Sequence, residues 1–145
     1  MAGLVLMSIK PKYGEEVLSG VKKLELRRRV APLHQGDRVV LYFSSPVKAI
    51  CGEFTAGRIY VGGLEELRRV VAEYPSPGVF EEDWEYVIGG SRPAMAVEVL
   101  RPKRYPKPIS LSELRRLIAG FRPPMSYRRV KVDEPLYQVL SSLDM

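Results

Sequence analysis

The stretch from Lys48 to Val61 reads as one long strand with Gly52 and Gly57 inside it. Interior glycines in a strand mark bulges or sharp bends, and a long strand bent in this way curls its sheet toward a barrel. The neighbouring segments agree. Residues 3–9 are β-rich and alternate, and Val39-Val40-Leu41-Tyr42-Phe43 is almost continuously apolar, as a well-buried strand is. Residues 22–29 alternate as well, with Leu24 and Leu26 on one side and Lys23, Glu25, Arg27 and Arg29 on the other. Ala94–Leu100 is a further strand, and Tyr127–Val132 a last short one.

Helices are expected between these strands. Pro11 opens a short helix that Gly20 stops. Leu64, Leu67, Val70, Val71 and Tyr74 form an apolar stripe at helical spacing. The break Pro75-Ser76-Pro77-Gly78 is followed by an acidic segment, Phe80 to Ile88, whose charges should face away from phosphates and whose Trp84 should anchor packing. Arg101 to Pro108 reads as a basic, proline-rich exit from the preceding strand. Ser110 and Glu113 form a capping box for a helix carrying Leu111, Leu114, Leu117, Ile118 and Phe121, and a last helix covers Pro135–Leu143. The sum is about five or six strands with helices inserted, in one α+β domain spanning residues 1–145.

A chain of 145 residues with 46% apolar content buries a sizeable core. No stretch approaches the roughly 20 apolar residues that span a bilayer. The N-terminal apolar run lacks a preceding cationic region and reads as a first strand, not a signal peptide, so a cytoplasmic location is expected. One cysteine, Cys51, and one histidine, His34, exclude an intrachain disulfide and a Cys/His zinc site. No metal and no cofactor are expected, Cys51 reads as a buried thiol, and His34 falls in a surface loop.

The net charge is +6, unevenly spread. Residues 1–53 carry nine cations and five anions, residues 54–100 four and eight, and residues 101–145 ten and four. Basic ends flank an acidic middle. Arg outnumbers Lys fifteen to eight, which suits phosphate forks and base stacking. The absence of Asn and the scarcity of Gln and Cys follow the composition of thermophiles, in which Arg richness also has a thermal origin.

At Gly20–Arg27 the sequence reads G-x-K-x-x-E-x-R, between a short helix and a strand. This resembles the signature of ASCH (activating signal cointegrator homology) domains. The likeness extends to Lys10-Pro11, to the Gly36-Asp37-Arg38-Val39 turn, to Ser44-Ser45-Pro46-Val47-Lys48-Ala49 and to Lys107-Pro108-Ile109-Ser110-Leu111. The chain is most similar to small archaeal stand-alone members, often labelled predicted transcriptional regulators. The resemblance implies a PUA-like β-barrel with a cleft beside the motif and a role in RNA metabolism or translation- or transcription-linked regulation. It also implies a second activity. Some small ASCH proteins are amidohydrolases acting on acetylcytidine, with a catalytic lysine at the position of Lys22 and a threonine where Glu25 stands here.

The residues themselves favour recognition. On a regular strand Glu25 and Arg27 share a face, and Lys22 joins them only if the chain bends near Gly20. Cations on both sides of Glu25 are expected to lower its pKa, which suits orienting a partner better than donating a proton. Under the hydrolase alternative Lys22 and Glu25 are the catalytic pair. The candidate RNA- or nucleotide-binding residues are Lys10, Lys22, Glu25, Arg27, Arg29, Ser44, Ser45, Arg104, Tyr105, Ser126, Tyr127 and Arg128. Arg104 and Tyr105 lie in a cation-rich run with an exposed-looking ring, and Ser126, Tyr127 and Arg128 follow a rigid Pro-Pro turn; both suit single-stranded RNA. Binding through both basic ends is expected to weaken steeply with salt. A protein-interaction domain built on the acidic middle is the third reading.

Overall fold

The computed structural model describes residues 2–28, 30–88 and 93–144. Strand β1 (Leu4–Ile9) leads into helix α1 (Pro11–Leu18), and β2 (Leu24–Arg27) follows. Next come β3 (Arg38–Phe43), β4 (Ala49–Gly62), α2 (Leu64–Ala72) and α3 (Glu81–Ile88). The chain then runs through β5 (Ala94–Ser110), α4 (Leu111–Leu117), β6 (Tyr127–Val130) and α5 (Pro135–Ser141), with a last 3-10 turn over Ser142–Asp144. The six strands form one curled sheet in the order β2-β5-β4-β3-β1-β6. β1 and β3 are parallel, in register from Leu4 with Arg38 to Ile9 with Phe43. The other pairs are antiparallel. This is an α+β fold.

The glycine-bearing strand β4 bends as its sequence requires. Its register with β5 shifts three times, between Ile50 and Gly52, between Glu53 and Thr55, and between Ala56 and Ile59. At Gly52 a Cβ atom would stand 2.5 Å from the Lys103 carbonyl oxygen and 2.7 Å from a Leu18 methyl, so glycine alone lets α1 and β5 approach. The proline-rich segment after Leu100 is not a loose exit. It continues β5 as far as Ser110, with Ala49 opposite Ser110 and Gly52 opposite Arg104.

Three apolar clusters hold the layers together. Val17 and Leu18 of α1 close over Val5, Met7, Leu41, Phe43, Phe54 and Val97 on one face of the sheet. On the other face Leu114, Leu136 and Leu140 of α4 and α5 cover Leu4, Leu6, Val40, Tyr42 and Ile50. Leu67 and Val71 of α2 and Trp84 and Val87 of α3 pack on Leu24, Leu26 and Ala96. Cys51 and Tyr42 are buried, and Trp84 is a packing anchor with the Arg68 guanidinium 4.6 Å from its ring centroid. Among the described residues no helix is long and apolar enough to cross a membrane.

The edges β2 and β6 approach without forming a ladder. Side chains lace the gap instead. Arg27 at the end of β2 donates from Nη2 to Ser126 Oγ at 2.7 Å, just before β6, and reaches the Ser8 carbonyl of β1 at 3.5 Å. Farther along, Arg129 donates to the Pro32 carbonyl at 3.0 Å. A barrel closed by side chains rather than backbone leaves room for a cleft at its seam.

Candidate functional site

The cleft opens at the C-terminal ends of the parallel pair β1 and β3, and its volume is about 540 Å³. Ser8, Ile9 and Lys10 line it from β1, Ser44 from the end of β3, and Tyr13 from the first turn of α1. Glu25, Leu26 and Arg27 supply the β2 wall, Met125 one rim, and Glu82, Asp83, Glu85 and Tyr86 of α3 the opposite wall. The acidic segment expected to face away from phosphates is therefore a wall of the cleft. Its residues 82, 83, 85 and 86 fall on one helical face, a pattern present in the sequence but overshadowed there by the sign of its charge.

Glu25 and Arg27 share a face of β2, as strand parity requires. Arg27 Nη1 donates to Glu25 Oε2 at 3.2 Å, and both residues are buried. Arg27 spends its remaining hydrogen bonds on Ser126 and Ser8, so it acts as the strut of the seam more than as a free phosphate fork. The expected lowering of the Glu25 pKa does not occur. Burial raises it, and the opposing pull of Arg27 and Lys22 is too weak to reverse the shift, while Asp83 adds to it. Burial was invisible in the local sequence, because the walls around the carboxyl come from segments distant in the chain.

Lys22 lies beneath the cleft, not in it. The chain does bend at Gly20, whose φ is 84°. The bend carries Lys22 under the Tyr13 ring, whose centroid is 5.5 Å from Nζ. The ammonium meets Asp83 Oδ1 at 2.8 Å, the Gly78 carbonyl at 3.4 Å and Glu16 Oε1 at 3.6 Å, and the side chain has no exposed surface. Gly78, at φ 71°, lies against the backbone of Val21 and Lys22, where any Cβ would collide. Lys12 and Glu82 form a second, exposed ion pair between α1 and α3 at 2.6 Å. A lysine enclosed in this way pins α3 to the entry of β2. It has no open path to a substrate carbonyl, which disfavours the hydrolase geometry.

The other candidates divide clearly. Lys10, Glu25, Arg27 and Ser44 meet at the cleft, with Ser126 behind Arg27. Ser45 sits in an exposed turn and does not line it. Arg104 pairs with Glu15 of α1. Tyr105 is not an exposed ring at all: it is buried, and its hydroxyl donates to Glu53 Oε1 at 2.5 Å, beside the Arg38–Glu53 ion pair. Burial and Glu53 together push its pKa far up. Tyr127 packs against the core, its hydroxyl 3.5 Å from the Val30 carbonyl, and Arg128 pairs with Glu134 at 2.7 Å. Arg29 lies outside the described residues. Sequence reasoning missed Tyr13, Glu82, Asp83, Glu85, Tyr86 and Met125. Among the described residues no group of three or more His, Cys, Asp and Glu side chains is placed to hold a metal ion.

The sequence pattern of the ASCH domain matches residues 7–93, more than half of the chain. The chain belongs to the ASCH domain family. An ASCH domain-containing ribonuclease of Zymomonas mobilis is 27% identical over 130 residues, covering 89% of this chain and 85% of its own length. Large ribosomal subunit protein uL22 of Ureaplasma parvum is 24% identical over 110 residues, which are 75% of this chain and 34% of that protein. Among solved structures, ASCH from Zymomonas mobilis superposes with a TM-score of 0.79 at 24% identity, covering 95% of this chain and 94% of that one. That likeness reaches past the matched segment and shows that β5, β6 and the C-terminal helices also follow an ASCH fold.

Proposed function

We propose that this ASCH domain binds RNA and holds one unpaired nucleotide in the cleft beside Glu25. The cleft carries the reading. Its volume falls within the roughly 300–1,000 Å³ of small-ligand sites, enough for one nucleotide and too little for a duplex. Aromatic rings stand at its walls, and single-stranded RNA is recognised by stacking splayed bases on such rings. Tyr86 is 36% exposed, Met125 at the rim is fully exposed, and the Arg28 guanidinium stacks 4.5 Å from the Tyr86 ring centroid while donating to its carbonyl. Four carboxylates among the lining residues disfavour a phosphate inside. The backbone then stays at the rim, near Lys10 and the uncapped first turn of α1. The kinship with an ASCH domain-containing ribonuclease points to the same class of ligand.

Fluorescence anisotropy with short labelled RNAs tests this. Single strands are expected to bind more tightly than duplexes of the same sequence, and Tyr86→Ala to cost about 1–3 kcal/mol for the single strand. Equal binding of the two forms, or a Tyr86→Ala protein that binds as the parent does, would overturn it.

A second reading is cleavage of the bound strand. One observation favours it: a buried carboxyl with a raised pKa, held at the cleft by Arg27, is suited to donate a proton. Incubation of end-labelled RNA with the protein and with Glu25→Gln decides it. Fragments that appear with both proteins, or with neither, remove Glu25-dependent cleavage.

A further inference from the structure

We infer that Glu25 meets the pairing edge of the bound base as a neutral acid, donating from Oε1 and accepting at Oε2, so that the cleft takes an unpaired base of any identity whose pairing edge is unblocked. The inference rests on the RNA reading above. Three observations carry it. Glu25 is 5% exposed and lines the cleft, yet only Oε2 has a partner, Arg27; Oε1 makes no hydrogen bond among the described residues. A carboxyl oxygen left without a partner at the wall of a cavity can take up a ligand atom.

The charges around it are unbalanced. Three carboxylates, Glu16, Glu25 and Asp83, are served by two cations, Lys22 and Arg27. Glu16 and Asp83 share Lys22, and one added proton makes the group neutral. Glu25 is where burial favours that proton, with Asp83 pushing the same way and Arg27 and Lys22 opposing. Across the cleft Glu25 faces Glu82 and Glu85 of α3 and Lys10 at the end of β1.

The chemistry follows from the two states. A neutral carboxyl offers one donor beside one acceptor. Every base has a matching pair on its pairing edge: a ring nitrogen and an amino group in adenine and cytosine, a carbonyl and a ring N–H in guanine and uracil. An ionised carboxylate is acceptor-only. Guanine alone places two adjacent N–H donors against it, from N1 and N2. Ionisation of Glu25 therefore turns a base-tolerant site into one that keeps guanine and releases the others.

The test is binding of four short single strands, each with one of the four bases at its centre in an otherwise constant sequence, between about pH 5.5 and about pH 8.5, where the bases themselves stay unchanged in charge. The wild-type protein is expected to bind all four strands alike at the acid end, and any loss of affinity as pH rises, roughly tenfold on full ionisation, is expected for adenine, cytosine and uracil and not for guanine. Glu25→Gln supplies a permanent donor and acceptor. It is expected to bind all four strands at every pH as the wild type does at low pH, whereas Glu25→Ala binds all of them weakly. Strands with N3-methyluracil at the centre should bind as poorly to the wild type as plain strands bind to Glu25→Ala. A wild-type protein that prefers guanine throughout that range, or a Glu25→Gln protein no better than Glu25→Ala, overturns the inference while leaving RNA binding intact. Absence of binding by any strand overturns the RNA reading itself.

Discussion

At Glu25 two local rules compete, and long-range burial decides between them. Flanking cations lower a carboxyl's pKa and burial raises it; here burial wins. The sign for stability follows directly. The folded protein keeps a proton on Glu25 that the unfolded chain releases above about pH 4.3, so folding takes up a proton. Stability is therefore lost as pH rises from the unfolded value toward the raised folded one. Glu25→Gln keeps the shape and removes the ionisation. It should raise the melting temperature at neutral pH, with the gain shrinking to nothing in acid below about pH 4. Thermal unfolding followed by circular dichroism across that range checks this, and a gain that persists unchanged in acid contradicts it. The pairing of Glu25 with Arg27 was legible from strand parity alone. The direction of the pKa shift was not, because no residue near Glu25 in the chain reports that the fold buries it. Tyr105 repeats the lesson. Its cationic neighbours suggested exposure, while Glu53, fifty-two positions earlier, holds its hydroxyl in the interior.

At the scale of elements, α3 is the wall whose place at the cleft the sequence did not foretell. Its boundaries were legible, since Pro75 to Gly78 breaks the chain before it. Its destination was not, since that depends on distant partners: the buried ion pair of Lys22 with Asp83, the exposed pair of Lys12 with Glu82, and the packing of Trp84 and Val87 on Leu24 and Leu26. Asp83 is doubly used: Oδ1 accepts from Lys22 and Oδ2 from the Phe80 backbone N–H at 2.7 Å. A buried pair adds little net stability over a well-packed apolar pair, yet removing one partner strands the other. Lys22→Met leaves Asp83 and Glu16 without their cation and is expected to cost about 3–5 kcal/mol in urea unfolding. Adding Asp83→Asn removes one stranded charge and keeps the acceptor for Phe80, so the double variant should be more stable than Lys22→Met alone. Additive losses would mean that Lys22 holds α3 through something other than Asp83. The same experiment separates structure from chemistry in the motif: a Lys22 that pins a wall affects unfolding before it affects any reaction.

Over the whole molecule, the long glycine-bearing strand foretold a curled sheet, and the ASCH pattern foretold its family. Neither foretold the strand order β2-β5-β4-β3-β1-β6 or the seam between its two edges, which is set by Arg27, Ser126 and Arg129 reaching across from distant parts of the chain. Charge shows the same dependence on distant partners. The two basic ends suggested a molecule that grips many phosphates and therefore weakens steeply with salt. In the folded protein Arg104 faces Glu15, Arg116 faces Glu113, Arg128 faces Glu134, and Arg129 faces Asp37. A guanidinium that must leave a carboxylate to reach a phosphate exchanges one ion pair for another and gains little. Only cations without such a commitment release counterions on binding at full effect. At the cleft that leaves Lys10 for about one phosphate of a single strand, contributing a slope near −0.7. A plot of log affinity against log salt should accordingly fall with a slope of about −1 for a short single strand. A slope near −6 would mean that the paired arginines abandon their carboxylates on binding, and that the basic surface, not the cleft, dominates affinity.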